Sequence, residues 1–344
     1  MINIAGKSIL ICVDGSHAIG LGHIYRMKSL ALSLQKAGSN VTFLTKKDKT
    51  ANNLLKTTGL SCHLFQSDSY DSALKEAIKK EQPVLIIQDI LETSAESMKR
   101  LRRLSPAKII NFDDVGAGLT MADTVINSMV FHWDKYKTNE FRTRLFEGPQ
   151  YMILQPEISE YVRLDKRIPD KAEKILIVFG GTDTHYVTER ALEAINNINV
   201  TLNVKINLGP GSNVTPRLEQ AVKTSGHRTK LIQFAPSLLR EFYQADLVIC
   251  GGGNMLYELA ALGVPSVSIA TEPHEINNMN YWSETGTTVS LGWEKTLNMT
   301  QVSETVNRVL RDRERRAKMS EIGKQTVDDR GLERVLKIIE EILS

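Results

Sequence analysis

Two stretches of this chain combine glycines with side chains that can move protons or meet anions. The first runs Asp14-Gly15-Ser16-His17-Ala18-Ile19-Gly20-Leu21-Gly22-His23-Ile24-Tyr25-Arg26. Gly20 and Gly22 let a backbone approach a ligand closely, and His23 falls at the start of the helix that follows, where unpaired N–H groups favour anions. A histidine there is either a cap at the core's edge or a base. Arg26 lies on the same helix face as His23 and is either a phosphate partner or an ordinary surface arginine. His17 reads as a solvated loop residue. The second stretch is Cys250-Gly251-Gly252-Gly253-Asn254-Met255-Leu256-Tyr257-Glu258. Successive residues without side chains expose backbone donors to a ligand, more than strand–helix packing requires. Glu258 cannot attract a diphosphate, but it can accept both hydroxyls of a ribose. Its rival role is that of a first-turn charge complementing the helix dipole.

Two further turns share this character. Phe179-Gly180-Gly181-Thr182-Asp183 closes one apolar run, and Thr271-Glu272-Pro273-His274-Glu275-Ile276-Asn277-Asn278 follows another. The second is polar and is expected to face a ligand with His274 and Asn278, although His274 taken alone reads as a surface residue. Asp113-Asp114 is a carboxylate pair at a strand's end, suited to a metal or to acid–base work. With no third ligand spaced nearby, a turn in which both side chains cap backbone groups is the favoured reading. No zinc, P-loop, nucleophile-elbow or Cys–His signature is present, so neither a metal nor a cofactor is expected. The glycines after the first strand do not fit G-x-G-x-x-G.

The elements that must carry these turns alternate. Ser8–Val13 is a continuous apolar run, the pattern of a strand buried on both faces. A helical period over Gly22–Lys36 follows, then strands at Val41–Thr45, Val84–Ile87, Lys108–Phe112 and Thr124–Asn127, with helices over Asp71–Lys80 and Ser94–Leu104. From Phe131 to Lys174 the period lapses, and a linker is expected. Alternation resumes with strands over Lys174–Phe179, Leu202–Leu208, Lys230–Gln233, Leu247–Cys250 and Pro265–Ile269. Helices over Val187–Ile195, Pro216–Thr224, Pro236–Ala245 and Met255–Leu262, and another after Glu275, separate them. The tail beyond Gln301 reads as charged helix, ending in an amphipathic piece at Leu332–Leu343. This predicts two doubly wound α/β domains facing across a cleft: residues 1–168, residues 169–330, and a terminal helix 331–344 packing back across the hinge.

Composition excludes other classes. Over 344 residues, 43 basic and 40 acidic side chains leave a net charge of +3, too little for a nucleic-acid footprint. The longest uncharged apolar stretches, Leu247–Tyr257 and Leu259–Thr271, fall short of the roughly 18 residues a membrane span needs. No signal-peptide pattern opens the chain. Cys12, Cys62 and Cys250 read as buried free thiols of a reducing compartment, so a cytoplasmic location is expected.

At these turns the sequence resembles the UDP-sugar hydrolases of the pseudaminic acid pathway and the related spore-coat polysaccharide biosynthesis proteins. Residues 8 to 292 carry the likeness. It rests on Asp14-Gly15-Ser16, Gly20-Leu21-Gly22-His23-Ile24-Tyr25-Arg26, Phe112-Asp113-Asp114, Ala122–Asn127, Leu154-Gln155-Pro156-Glu157 and the two glycine turns of the second half. The resemblance implies a GT-B architecture. It also implies a catalytic role for His23 and Asp14, with His23 as base toward a water that attacks the anomeric carbon. Asp89 would lie near the sugar. Gly251–Asn254 with Met255 would hold the diphosphate, Glu258 the ribose, and Phe234 and Ala235 the base. Two departures stand out: Leu91 occupies the place of a family tyrosine, and Cys12 that of an arginine. The expected activity is therefore release of a free amino- or deoxy-sugar from a UDP-sugar, for nonulosonic acid or surface-glycan assembly. The alternatives are a GT-B glycosyltransferase moving the sugar to an acceptor and a catalytically silent UDP-sugar binding subunit.

Overall fold

The computed structural model describes residues 4–13, 22–66, 69–129, 143–164, 166–181, 183, 185–233, 235 and 237–344. The chain divides into two compact units, residues 1–155 with 330–344, and residues 156–329. The division falls at Gln155/Pro156, not after residue 168.

Among the described residues, unit 1 is built on a seven-stranded sheet of parallel strands. In chain order these are β1 (Ser8–Val13), β2 (Asn40–Lys46), β3 (Ser61–Phe65), β4 (Leu85–Asp89), β5 (Lys108–Phe112), β6 (Thr124–Asn127) and β7 (Arg144–Glu147). Helices α1 (Gly22–Lys36), α2 (Lys49–Lys56), α3 (Tyr70–Glu81) and α4 (Ala95–Leu104) run between the first five. The period of two along β1 explains the layering. Ile9, Ile11 and Val13 pack with Ile24, Met27, Leu30 and Leu34 of α1. Leu10 and Cys12 point the other way, into a core with Leu74 and Ile78 of α3 and Met98 and Leu101 of α4. Spatial order is β3-β2-β1-β4-β5-β6-β7, so the direction of winding reverses between β1 and β4. Val13 and Asp89 are partners across that seam. In open parallel sheets, ligands bind outside the carboxyl ends of strands at such a reversal.

Unit 2 opens with the short α5 (Ile158–Val162) and repeats the plan with six described strands: β8 (Lys174–Val178), β9 (Asn203–Leu208), β10 (Arg228–Gln233), β11 (Leu247–Cys250), β12 (Ser266–Ala270) and β13 (Thr288–Trp293). The helices are α6 (Val187–Ile195), α7 (Pro216–Lys223), α8 (Leu239–Gln244), α9 (Met255–Ala261), α10 (Glu275–Thr285), α11 (Met299–Arg311) and α12 (Arg313–Thr326). The order β10-β9-β8-β11-β12-β13 reverses between β8 and β11, where Val178 pairs with Cys250. Both glycine turns of the second half therefore leave the sheet at its seam. The last helix, α13 (Gly331–Leu343), belongs to unit 1, where Val335, Ile338 and Ile339 join the α1 side of the core.

Strands β3, β7 and β13 and helices α2 and α5 were not expected from the sequence. The three strands are sheet edges, and β7 and α5 fall inside the stretch expected to be linker. Cys12 and Cys250 are buried free thiols, whereas Cys62, on the edge strand β3, is exposed.

Candidate active site

Among the described residues, the seam of unit 1 gathers four charged or titratable side chains. His23 is the second residue of α1, and Asp89 is the last of β4. Nδ1 of His23 lies 2.6 Å from Oδ1 of Asp89. Asp89 is completely buried, while the His23 side chain keeps 20% of its surface open. Arg26, one helical turn beyond His23, is also buried. Its Nε donates to Oδ2 of Asp89 at 2.6 Å, one terminal nitrogen donates to Oδ1 of Asp89, and the other donates to Asp113. The fork thus ties β4 to the end of β5, a fixed geometry that lysine does not offer. The guanidinium carbon also sits 5.9 Å from the centre of the Phe112 ring.

Electrostatics fix the state of this cluster. Burial alone would push the Asp89 carboxyl upward, but Arg26 and His23 outweigh it and hold Asp89 down at about 2. Burial works against the Arg26 cation too, and the carboxylates of Asp113 and Asp89 overcome it, so the guanidinium stays charged. An ionised carboxylate can only accept, so Nδ1 of His23 is the donor in this contact. That selects the tautomer with the lone pair on Nε2, the arrangement of a histidine base oriented by a carboxylate.

The expectation for Arg26 is corrected here: both arms of its guanidinium are engaged by carboxylates. Asp113 and Asp114 divide their work. Asp113 receives Arg26, the Ser128 hydroxyl at 3.0 Å and the Met129 N–H at 2.8 Å. Asp114 receives the Thr93 N–H and hydroxyl, the Asn111 amide and the Gly116 N–H, which is a turn-holding role. Its pKa is raised by burial, which those donors oppose. Gly22 is the first residue of α1; Asp14 and Gly20 lie outside the described residues. Leu91 is half-buried and its carbonyl accepts the Val115 N–H at 2.8 Å.

The seam of unit 2 is built from backbone. A Cβ at Gly252 would sit 2.6 Å from the Met279 side chain and 2.9 Å from Cβ of Glu275, so close packing against α10 requires this glycine. Gly253 has no such neighbour; a Cβ there would meet only Oε1 of Glu275, at 3.3 Å. Strand–helix packing thus accounts for Gly252 and leaves Gly253 without a packing reason. Asn278, expected in an open polar turn, is completely buried, with its amide turned onto the glycine turn and α9. Its Nδ2 donates to the Gly252 carbonyl at 2.6 Å, and its Oδ1 accepts the Tyr257 hydroxyl at 2.9 Å. Asn254 caps α9 by position without a side-chain bond, and Met255 and Glu258 are half-buried in its first turn. Glu275 was missed from the sequence. Its carboxylate accepts the Thr271 N–H at 2.7 Å, the Thr271 hydroxyl at 3.0 Å and the Glu272 N–H at 3.3 Å. Burial and the charge of Glu275 push the Cys250 thiol up, which disfavours its thiolate form.

Across the same seam, Gly180 has a φ of +79°, the left-handed region that glycine enters without strain. The Gly181 carbonyl accepts the Gly211 N–H at 2.9 Å, and Asp183 caps α6 through the N–H groups of Val187 and Thr188. His274 is exposed just before α10, Ala235 is half-buried between β10 and α8, and Phe234 lies outside the described residues. Among the described residues, no three His, Cys, Asp or Glu side chains are grouped to hold a metal ion. No helix among them is long and apolar enough to cross a membrane.

Two parallel α/β units with these sheet orders define the GT-B fold of glycosyltransferases. The MurG structure from Acinetobacter baumannii matches with a TM-score of 0.73 at 16% identity, covering 97% of this chain and 100% of that one. Residues 175–335 match the Glycosyltransferase family 28 C-terminal domain. The chain is related over nearly its whole length to the spore coat polysaccharide biosynthesis protein SpsG of Bacillus subtilis, at 26% identity over 96% of this chain and 97% of that protein. It is also 21% identical to a UDP-N-acetylglucosamine--N-acetylmuramyl-(pentapeptide) pyrophosphoryl-undecaprenol N-acetylglucosamine transferase of Pseudomonas putida, over 89% of each chain. These matches overturn the expected hydrolase and its pseudaminic acid pathway: the likeness is to transferases, and the glycosyltransferase alternative takes the place of the main reading.

Proposed function

We propose that this protein is a glycosyltransferase that moves a sugar from a UDP-sugar to an acceptor hydroxyl during polysaccharide assembly. The observation that carries the reading is the 2.6 Å contact between Nδ1 of His23 and the buried, ionised Asp89 at the seam of the first sheet. A sugar hydroxyl is a poor nucleophile until its proton is taken, and a carboxylate-oriented imidazole is built to take it. The acceptor O–H proton goes to Nε2 of His23 as the new bond from that oxygen to the anomeric carbon forms. The bond from that carbon to the diphosphate breaks, and UDP leaves with the electron pair. Unit 1 supplies the base. Unit 2 binds the UDP moiety, with the N–H groups of Gly252, Gly253 and Asn254 on the diphosphate and the half-buried Glu258 on the ribose hydroxyls. The transferase relatives and the family 28 match over residues 175–335 support this assignment.

The test is a panel of UDP-sugars offered with and without hydroxyl acceptors from cell-surface glycans, following both UDP release and label on the acceptor. Release that requires an acceptor, together with labelled product, is the expected result. Equal release without any acceptor would overturn the proposal. His23→Asn is expected to cut turnover by roughly 10²- to 10⁴-fold with UDP affinity nearly unchanged.

A further inference from the structure

Behind His23 and Asp89 the buried chain of charges continues. Arg26 brings a terminal nitrogen to 3.1 Å from Nδ1 of His23 while it holds Asp89, so a cation stands against the ring that must itself become cationic when it takes a proton. Left alone with Asp89, Arg26 would cancel the carboxylate's charge and oppose protonation of the imidazole. Asp113 changes the balance. It takes the other end of the guanidinium, and it is buried with Ser128 and the Met129 N–H on its oxygens. Among the described residues, with His23 neutral, two carboxylates and one guanidinium carry a net charge of −1, and a proton on His23 brings their sum to zero. Without the charge of Asp113, the same proton would leave these described groups with a net positive charge beside the buried Asp89 and Arg26, which is costly.

We propose that Asp113 is a positioning residue that sets the basicity of His23 through Arg26. The inference rests on the reading of His23 as the base. The backbone singles out this position as well: Asp113 has a φ of +45°, a conformation that non-glycine residues adopt at a cost and that Asp and Asn tolerate best. That conformation, just beyond β5, is what lets the side chain reach Arg26, whereas its neighbour Asp114 serves the turn on the other side. Among the described residues, the charged side chains placed against His23 are Asp89 from β4 and Arg26 from its own helix, with Asp113 from the end of β5 behind them. Asp14 and His17 lie outside the described residues.

The experiment follows the imidazole of His23 by nuclear magnetic resonance across pH in the intact protein, and in parallel the pH profile of kcat/KM for sugar transfer. Asp113→Asn keeps the shape and suits the left-handed backbone, so only the charge is lost. Its His23 titration midpoint is expected to move to lower pH by about one unit, with the acid limb of the profile moving equally. Arg26→Met, which removes the cation, is expected to move the midpoint upward. Ser128→Ala deletes a hydroxyl bond to Asp113 without deleting charge and is expected to leave the midpoint in place. Should Asp113→Asn fail to fold, Asp113→Gly makes the same charge change on a backbone that glycine accepts. A midpoint in Asp113→Asn equal to that of the wild type would overturn the proposal and leave Asp113 a structural residue. The resonance readout is independent of catalysis. A moved midpoint in a protein that transfers no sugar upholds the charge coupling and rejects His23 as the base.

Discussion

The side-chain amide of Asn278 holds the carbonyl of Gly252 at 2.6 Å, fixing from below the middle peptide of the triple-glycine turn. The Tyr257 hydroxyl in turn anchors Asn278, so the orientation of the turn is set from within the core. Asn278→Leu leaves a buried carbonyl and a buried hydroxyl without this partner. Each group costs about 1–3 kcal/mol when left unsatisfied. Urea unfolding is expected to show that loss, and calorimetry a UDP affinity at least several-fold weaker. Full UDP affinity in a destabilised variant would show that the turn does not need this anchor.

Gly252 and Gly253 are adjacent, yet alanine should act on them in opposite ways. At Gly252 the new methyl overlaps Met279 and Glu275, and overpacking of this kind costs about 1–3 kcal/mol. At Gly253 the nearest atom is a carboxylate oxygen of Glu275 at 3.3 Å, which needs to yield only a few tenths of an ångström, so the cost should be smaller than at Gly252. A methyl there blocks close approach of a diphosphate to the backbone. Thermal melts and UDP titrations of the two variants are expected to separate: Gly252→Ala melts earlier, and Gly253→Ala melts nearer the wild type but binds UDP poorly. Normal binding by Gly253→Ala would remove the turn from the nucleotide site.

Glu258→Gln tests the ribose assignment in the same assay. The amide keeps the size of the side chain but donates where a carboxylate would accept from both hydroxyls, so UDP affinity is expected to fall about tenfold or more. Uridine and 2′,3′-dideoxyuridine diphosphates compared on the wild type and the variant provide the check. A ratio of affinities that does not change with the substitution would place the ribose elsewhere.

The lowered pKa of Asp89 makes a prediction for acid stability. A carboxyl that titrates near 4 in the unfolded chain and at about 2 in the folded one binds fewer protons when folded. Its contribution is therefore fully present above pH 4 or so and is lost as pH falls toward 2. The expected effect is on the order of 2 kcal/mol, read as a falling urea midpoint of unit 1 between pH 4 and pH 2. Asp89→Asn should abolish that part of the slope. It should also destabilise the protein at neutral pH by roughly 3–5 kcal/mol, because Arg26 stays buried with half of its partners gone.

Much of the architecture could be read from the sequence because both sheets are parallel and covered on two faces. β1, β8 and β11 are nearly uninterrupted apolar runs, a pattern a buried strand imposes and few alternatives share. β3, β7 and β13 escaped for the opposite reason. They are edge strands, and β3 in particular alternates exposed and half-buried residues, so hydrophobicity marks them weakly. At the seam of unit 1, the place of His23 at the start of α1 was legible from the glycines before it. The link from Arg26 to Asp89 and Asp113 was not, because it joins residues 63 and 87 positions apart and depends on β4 and β5 lying side by side. The burial of Asn278 was not legible either, because an asparagine in a polar loop-to-helix stretch is expected in the open, and only the fold turns it inward.

Gly331 opens α13, and a Cβ there would lie 2.0 Å from the backbone oxygen of Met152. Backbone cannot rotate away as a flexible side chain can. Gly331→Ala is therefore expected to lift the helix from unit 1 and to destabilise that unit by about 3 kcal/mol or more. Hydrogen exchange should show faster opening in β1 and α1 with unit 2 unaffected. Unchanged protection in both elements would mean that the helix docks independently of this contact.

The placement of α13 also orders events during synthesis. The chain is made from residue 1 onward, and unit 2 is complete at Asp329, whereas unit 1 needs Val335, Ile338 and Ile339 to close its core. The half begun first is the half finished last. Between Gln155 and Arg330 the ribosome adds 174 residues, which at roughly 5–20 residues per second takes on the order of ten seconds or more. For that interval the apolar surface around α1 that awaits the terminal helix stands open to water and to any chaperone that recognises such surfaces.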